Sequence, residues 1–207
     1  MTTLAIETST TQGSVALVKD GRVLFSERFP AARGHGPELF SCLQRAIGIA
    51  PQCDQIVVGL GPGSYSGVRI AIAAVIGLEM ALKAEVVGIP SILALETDAV
   101  EYVSIGDARR SSFYFAVIGK DGLLSGPELL DEAGLKAGIG SHAGLPVFAS
   151  APIEGIPDLK ICFPSAERLA RLAELGRGIC ARGDLEPIYL RDPHITRPGK
   201  IKTQEGV

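Results

Sequence analysis

A glycine-rich segment between a short apolar strand and a long apolar helix most constrains how this chain folds. Gly59–Ala71 reads Gly-Leu-Gly-Pro-Gly-Ser-Tyr-Ser-Gly-Val-Arg-Ile-Ala and follows the β-branched run Ile56–Val58. Its glycines let the backbone adopt positive φ angles that other residues avoid. A hydroxyl of Ser64 or Ser66 can cap the helix that follows. The pattern predicts a strand, a tight turn and a helix that ends near Lys83.

The turn is a candidate anion site, because its amides and the positive end of the helix dipole are not covered by side chains. It is not a Walker A loop, and it lacks the GxGxxG order of a dinucleotide site. A turn without any ligand explains it equally well. A polar turn after the first predicted strand adds a carboxylate and hydroxyls, which bind cations or phosphates but also satisfy turn backbones. The candidate nucleotide or anion residues are Glu7, Ser9, Gly61, Gly63 and Ser64.

The helix from Val68 to Leu82 is apolar around its whole circumference, with only Arg69 and Glu79 charged. A surface helix keeps a polar face, so this one is expected to be buried on every side, in its own core or against a partner. It is expected to be too short and too interrupted by charge to span a membrane. The helix predicted for Pro37–Gly48 is also strongly apolar. We expect the outer sides of both helices to form one apolar interface patch: Leu39, Leu43, Ile47, Val68, Ile72 and Val75.

The charge balance disfavours direct nucleic-acid or lipid binding, since the 207 residues carry a formal net charge of -3. The four cysteines are scattered without a CxxC pair, which is typical of reduced thiols in a cytosolic protein. The three histidines form no HxxxH motif, so no metal site is expected. The N-terminus has no signal-peptide pattern. We therefore expect a cytoplasmic protein without a membrane segment.

Two stretches of the chain share one pattern. Residues 3–30 predict a three-stranded meander whose first strand ends in the acid Glu7. Residues 103–122 repeat that order, with Asp107 as the acid and a second Lys-Asp-Gly hairpin. The ordered set of matches favours an internal duplication. We predict an α/β fold with a first domain at 1–100, a smaller second domain at 101–193 and a flexible tail at 194–207.

Further elements follow from the periodicity of apolar residues. The sequence predicts a buried strand at 86–89, a helix from Ile92 to about Thr97, and a short helix with loops between 128 and 144. It predicts strands at 146–149 and 159–162. A helix capped by Ser165 is predicted to extend to about Arg182.

Four segments together resemble the TsaB (YeaZ) family, which is required for threonylcarbamoyladenosine (t6A) formation in tRNA. They read Leu-Ala-Ile-Glu-Thr-Ser-Thr from residue 4, Gly-Pro-Gly-Ser-Tyr-Ser-Gly-Val-Arg-Ile from residue 61, Ile-Gly-Asp-Ala-Arg-Arg from residue 105 and Glu-Pro-Ile-Tyr-Leu-Arg from residue 186. The resemblance implies two actin-like (ASKHA, ribonuclease H-like) domains, the second truncated. It also implies a subunit without chemistry of its own.

The partners implied by the resemblance carry the chemistry. A TsaD-like transferase pairs with the first-domain helices, and a TsaE-like ATPase joins the complex. TsaC supplies threonylcarbamoyl-adenylate, which TsaD transfers to the adenosine beside the anticodon. ATP and metal would therefore belong to partner subunits, and tRNA would be contacted only through the complex. Where the TsaD paralogue has its HxxxH metal ligands, this chain has Ser91 and Leu95, which cannot form the site.

Two departures from the family bear on nucleotide binding. The first-strand acid is Glu7 where the family has Asp, and Tyr65-Ser66 replaces a common Phe-Thr. Two function hypotheses follow. The first is a partner subunit that activates a TsaD-like transferase and pairs with a second copy of itself when alone. The alternative is a stand-alone actin-like ATPase or kinase using Glu7, Ser9, Gly63 and Asp107.

Overall fold

Strands and helices alternate along most of the chain. The computed structural model describes residues 1–30 and 36–191, so the predicted tail at 194–207 lies outside the described residues. The elements are β1 (Thr2–Glu7), β2 (Gln12–Lys19), β3 (Arg22–Pro30), α1 (Gly36–Ile49), β4 (Gln55–Gly59), α2 (Tyr65–Leu82), β5 (Glu85–Ile89), a 3₁₀ helix (Ser91–Ala94), β6 (Tyr102–Asp107), β7 (Phe113–Gly119), β8 (Gly122–Leu130), α3 (Glu132–Ser141), β9 (Val147–Ala149), β10 (Lys160–Ile161), α4 (Ala166–Glu174) and β11 (Ala181–Arg182).

The first sheet has the strand order β11-β5-β4-β1-β2-β3. The predicted meander is present, since β1 pairs with β2 and β2 with β3 in antiparallel fashion. β1 also pairs with β4, and β4 with β5, in parallel fashion. Parallel neighbours need crossover connections. Here α1 and α2 provide them, which places both helices on one face of the sheet.

Both faces of this sheet are covered. Leu4 and Ile6 of β1 face α1 and α2, and pack in one buried cluster with Leu39 and Val75. Successive residues of a strand face opposite sides. Ala5 therefore faces the other layer, where α4 packs in a second buried cluster.

The second sheet has the order β10-β9-β6-β7-β8. Leu135 of α3 covers one face. On the other face, Tyr102 and Phe148 pack against Ile92 of the 3₁₀ helix. The predicted α/β class is confirmed. Both sheets contain an antiparallel meander flanked by a parallel strand, and the internal duplication stays a prediction.

The helix predicted to reach Arg182 is too long. α4 ends at Glu174, because Gly176 and Gly178 follow with φ angles of 66° and 68° that a right-handed helix cannot contain. The chain then forms β11, which pairs with β5 of the first sheet. α4 and β11 therefore complete the first sheet, although the prediction placed them in a second domain ending at 193.

Two other predictions differ from the structure. The helix expected from Ile92 to Thr97 is only the short 3₁₀ helix, because Leu95 is extended and bridges to Pro164. In the region expected to contain a short helix with loops, β8 continues to Leu130, and α3 follows at once with Asp131 as its N-cap.

Candidate functional site

The glycine-rich turn is closed by hydrogen bonds within the chain. Ser64 is the N-cap of α2, and its Oγ accepts from the amide of Gly67 at 3.2 Å. The amide of Ser64 donates to the carbonyl of Ser9 at 2.6 Å. The amide of Gly61 donates to Oγ of Ser91 at 3.0 Å. Three amides of the predicted anion site are thus occupied by acceptors of the protein itself.

Glycine is required here because the turn lies very close to the first strand. A Cβ atom on Gly63 would lie 2.1 Å from the carbonyl oxygen of Ser9. A Cβ atom on Gly59 would lie 1.9 Å from Oε2 of Glu7. Gly61 has a φ of 85°, which side-chain-bearing residues avoid. These glycines are explained by backbone packing without any ligand.

Glu7 is fully buried at the end of β1. Its Oε1 accepts from the amide of Ser9 at 2.5 Å. Within the described part of the chain, Oε2 of Glu7 and Oγ of Ser9 have no hydrogen-bond partner. Loss of water raises the pKa of the Glu7 carboxyl, and the nearby hydroxyls of Ser9 and Ser91 oppose that rise. A hydrated cation cannot reach this carboxyl.

A small void lies between the two sheets. Its volume is about 10 Å³, and its lining includes Ser9 and Ser91 from the first sheet's loops and Ser104 and Tyr114 from the second sheet. This is about the space of one water molecule. A chain of phosphates does not fit between the sheets at this point.

The four residues of the ATPase hypothesis do not share a cavity. Gly63 and Asp107 line a larger cleft. Ser9 lines the small void, and Glu7 is buried. The structure therefore does not bring these four residues around one phosphate.

The larger cleft, which we call the interdomain cleft, has a volume of about 250 Å³. It lies between the start of α2, the end of β6 and the segment 187–191. The amide of Ile188 donates to the carbonyl of Leu60 at 2.8 Å. Arg191 donates to Oγ of Ser112 in the β6–β7 turn. The C-terminal segment thus bridges the loops of the two sheets.

Two tyrosines stack at this cleft. The rings of Tyr65 and Tyr189 lie 5.3 Å apart, centroid to centroid, with an interplanar angle of 30°. Arg69 donates to the hydroxyl of Tyr65. Both tyrosines stay partly exposed, at 47% and 42%.

The β6–β7 turn at the cleft has an unusual backbone. Arg109, Arg110 and Ser111 all have positive φ, at 66°, 55° and 55°. Such angles are uncommon outside glycine. Asp107 stabilises the turn by accepting from the amide of Arg109 at 2.6 Å. The result is a turn that presents two arginines to solvent.

A second concave surface, the α1–α2 groove, lies on the outer side of the two helices. It has a volume of about 450 Å³ and a mostly apolar lining: Phe40, Leu43, Gln44, Ile47, Ile70, Ala73, Ala74, Gly77 and Leu78. Phe40 is 54% exposed, and Met80 on the same helix pair is 80% exposed. The small residues Ala73 and Gly77 are also exposed.

Most of the predicted interface residues face the core and not the solvent. Leu39, Leu43, Val68, Ile72 and Val75 are buried in the core, because α1 and α2 lie flat on the first sheet and these positions face it. Ile47 is half-buried and lines the groove, and Leu43 contributes to its floor. Sequence reasoning missed the exposed Phe40, Ala73, Ile76, Gly77 and Met80.

α2 is the one helix in 1–30 and 36–191 that is long and apolar enough to cross a membrane by length and composition. Its mean hydropathy is 1.5 over 18 residues, and a third of that window is buried. The core helix of a water-soluble protein passes the same test. Since one side of α2 packs on the first sheet, lipid cannot surround it in this fold.

Among the described residues, no group of three or more His, Cys, Asp or Glu side chains is placed to hold a metal ion. Ser91 accepts the Gly61 amide, and Leu95 is buried in the core. The cysteines are free thiols, with Cys42, Cys53 and Cys162 buried and Cys180 exposed.

Comparison with known proteins identifies the family. The family model described as "TsaD: tRNA N6-adenosine threonylcarbamoyltransferase" matches residues 30–152. A curated Escherichia coli protein named "tRNA threonylcarbamoyladenosine biosynthesis protein TsaB" is 27% identical, over 93% of this chain and 95% of its own length. The chain belongs to the TsaD family, in its TsaB branch.

Solved structures agree with TsaB membership. A Pseudomonas aeruginosa protein described as similar to peptidase YEAZ superposes with a TM-score of 0.73 and 28% identity, covering 92% of this chain and 99% of that one. YeaZ from Pseudomonas aeruginosa gives a TM-score of 0.67 and 26% identity, covering 84% and 91%. Of the TsaB motif segments, the three around Tyr65, Asp107 and Tyr189 meet at the interdomain cleft.

Proposed function

We propose that this chain is a non-catalytic subunit that binds and activates a TsaD-like transferase, which modifies the adenosine next to the tRNA anticodon to t6A. The role in t6A biosynthesis follows the names of its TsaB relatives. The α1–α2 groove carries the proposal of a protein partner, because it is a large apolar concavity that the chain leaves open to solvent.

The groove has the composition of a protein interface. Monomeric proteins rarely expose contiguous apolar patches of this kind. Burying each large apolar side chain contributes roughly 1.5 to 3 kcal/mol. Phe40, Ile76 and Met80, with the groove lining, can therefore offset an association cost of roughly 4 to 15 kcal/mol.

The floor of the groove favours a helical partner. Ala73 and Gly77 stand one turn apart on α2 and let another helix backbone come close. Packed helices lie about 8 to 10 Å apart, the shorter value at small residues. The TsaD family match spans α1 and α2. A TsaD-like partner would therefore present corresponding helices, and the two chains would pair about a pseudo-twofold axis.

The interior of the chain agrees with a role without catalysis. Glu7 is buried, the turn amides are occupied, and the void between the sheets has room for about one water. ATP and metal would then belong to the partner subunits, and a TsaE-like ATPase would join the assembled complex. Without a partner, two copies of the chain would pair through the same groove.

The test places a charge on the groove floor. Ala73→Glu should lower the affinity for the cognate TsaD-like protein at least 100-fold, because the carboxylate loses its water in the interface. Ala137→Glu, the same substitution at an exposed position of α3, is the control and should bind normally. Titration calorimetry measures affinity, and t6A formation on a tRNA transcript measures activation. Normal binding and activation by folded Ala73→Glu would contradict the proposal.

Homodimer formation is measured separately from partner binding. Sedimentation velocity should show the wild-type chain alone as a dimer and Ala73→Glu as a monomer. Addition of a TsaD-like partner should convert the wild-type homodimer into a heterodimer. An ATPase assay on the chain alone addresses the alternative function. Turnover above background in the purified chain would favour it.

A further inference from the structure

Another concave surface lies beside α2, between this helix and the C-terminal segment. This surface, the α2–C-terminal groove, has a volume of about 580 Å³. The α2 residues that line it recur at intervals of three and four, so they share one side of the helix. The C-terminal segment forms the opposite wall. The lining consists of Arg69, Ile72, Ala73, Ile76, Glu186, Pro187 and Tyr189.

The α2–C-terminal groove is continuous with the α1–α2 groove. Ala73 lines both grooves, and the strongly exposed Met80 lies two turns further along the same side of α2. A ridge of α2 therefore separates two hollows. Neighbouring helices lie about 8 to 10 Å apart, and hollows on the two sides of one helix are separated by about the same distance. A partner that presents two neighbouring helices can place one helix on each side of the ridge.

Apolar side chains in the α2–C-terminal groove are open to solvent. Ile76 is 49% exposed and Tyr189 is 42% exposed, and Pro187 lines the groove with them. Contiguous apolar surface of this kind is rare on monomers. Tyr189 is held in place by its stacking on Tyr65. A bound helix would therefore meet a wall that loses little conformational freedom on binding.

Two charged side chains belong to the lining, and they differ in their contacts. Arg69 donates to the hydroxyl of Tyr65. Glu186 is exposed and makes no hydrogen bond or ion pair within residues 1–30 and 36–191. A carboxylate without an internal partner at the rim of an apolar groove is complementary to a lysine or arginine of a bound chain. The groove therefore fits an apolar helix that carries a basic side chain.

The C-terminal segment connects this groove to the second sheet. The amide of Ile188 donates to the carbonyl of Leu60 at 2.8 Å, which anchors the segment at the first sheet. Three residues later, Arg191 donates to Oγ of Ser112 in the β6–β7 turn. A partner that binds only the ordered form of a segment suppresses its local opening. Binding beside α2 would thus also stabilise the β6–β7 turn.

We propose that the TsaD-like partner spans the ridge of α2 and places a second helix in the α2–C-terminal groove, with a basic side chain at Glu186. This contact holds the C-terminal segment in place and, through Arg191, the β6–β7 turn of the second sheet. The inference rests on the proposed function, because it concerns the same partner. It adds a contact that selects the partner by charge and a connection to the second sheet, which the α1–α2 groove does not contain.

Variants that change one groove at a time test the second contact. Of the two grooves, Ile76 lines only the α2–C-terminal groove, and Phe40 lines only the α1–α2 groove. Ile76→Ala should weaken binding of the cognate TsaD-like protein roughly tenfold, since it removes a large apolar contact. Glu186→Lys should weaken binding roughly tenfold and change its dependence on salt. Glu154→Lys, the same charge reversal at an exposed position between β9 and β10, is the control and should bind normally. Titration calorimetry at two salt concentrations gives the affinities.

Amide exchange tests the connection to the second sheet. Binding of the TsaD-like protein should slow exchange at Ile188 and at Ser112. In Arg191→Ala the partner should still bind and slow exchange at Ile188, while exchange at Ser112 should no longer respond, because Arg191 joins the two sites. An equal response of Ser112 in Arg191→Ala and the wild type would overturn this connection.

The outcomes separate this inference from the proposed function. Wild-type affinity in both Ile76→Ala and Glu186→Lys, with weaker binding by Phe40→Ala, overturns the second contact and leaves the proposed function intact. Wild-type affinity in Phe40→Ala and Ala73→Glu as well would contradict the proposed function itself. If Ile76→Ala and Glu186→Lys weaken only the homodimer in sedimentation velocity, the groove binds a second copy of the chain, and its assignment to the TsaD-like partner is overturned.

Discussion

At the scale of single residues, Glu7 is the most unusual group in the described chain. A buried carboxylate without a paired Oε2 is costly in its charged form. Its pKa is raised above the ordinary value of 4.5 because burial removes water. A raised pKa means that the contribution of Glu7 to stability is fully present below pH 4.5. That contribution is lost as the pH increases through the folded-state pKa.

Glu7→Gln should remove this pH dependence. The amide keeps an acceptor for the Ser9 amide and gains a donor for the hydroxyls nearby. The variant should therefore become progressively more stable than the wild type as the pH increases from 4 to 8. Urea unfolding at several pH values measures the difference. A difference that does not change with pH would show that Glu7 is not the titrating group.

Gly63→Ala should destabilise the fold by roughly 2 to 3 kcal/mol, because the new methyl group overlaps the Ser9 carbonyl and disrupts its bond with Ser64. Gly48→Ala is the matched control. Its position in α1 is open, so it should stabilise by roughly 0.5 to 1 kcal/mol. Thermal unfolding of both variants gives the comparison. Equal effects would mean that the turn can move away from β1.

At the scale of elements, the buried face of a helix could be predicted only where the helix has distinct polar and apolar faces. α4 has polar and apolar faces, and its buried residues Leu169 and Ala173 lie on the apolar face that the sequence pattern shows. α2 is apolar all round, so its sequence contains no signal for which side meets the sheet. Its existence and its Ser64 cap were predictable, while the set of outward residues was not. Five of the six residues chosen for the candidate interface therefore face the core. The assignment of a partner interface to α1 and α2 stays a prediction.

The two sides of α2 should respond differently to the same substitution. Ile72→Glu should destabilise the chain by about 3 to 5 kcal/mol, since it buries an unpaired charge in the core. Ile76→Glu, four residues on and half-exposed, should change stability by less than about 0.5 kcal/mol. Urea unfolding distinguishes them. If both were tolerated, the orientation of α2 described above would be wrong.

At the scale of the whole molecule, sequence reasoning located both meanders. It placed α4 in a second domain at 101–193, whereas α4 packs on the first sheet. Local patterns report which residues are buried, and they do not report against which sheet. The pairing of β11 with β5 depends on contacts between residues about 90 positions apart. Such long-range contacts leave no periodic trace in the sequence. The sequence analysis grouped Gly63 with Asp107, which both line the interdomain cleft, but it missed the contribution of segment 187–191, because that segment meets them only in the folded chain.

The C-terminal segment couples the two sheets. Ile188→Ser should lower the melting temperature by about 3 to 6 °C, because Ile188 packs on the first core beside its bond to Leu60. Amide exchange should increase near Leu60 and also near Ser112, which Arg191 contacts. Glu186→Ser, an exposed position in the same segment, is the control. Exchange that changes at Leu60 alone would show that the sheets are independent.

α4 packs on the first sheet but follows the strands of the second sheet in the chain. The first sheet therefore cannot be covered on both faces until most of the chain has been synthesised. Roughly 75 residues separate the end of β5 from the start of α4, and at about 5 to 20 residues per second their synthesis takes roughly 4 to 15 seconds. During that interval the nascent sheet has α1 and α2 on one side only. The face that carries Val57 and Val87 stays exposed to solvent until α4 has been synthesised. Slower translation would lengthen the exposure, so the nascent chain is most prone to aggregation between these two points of synthesis.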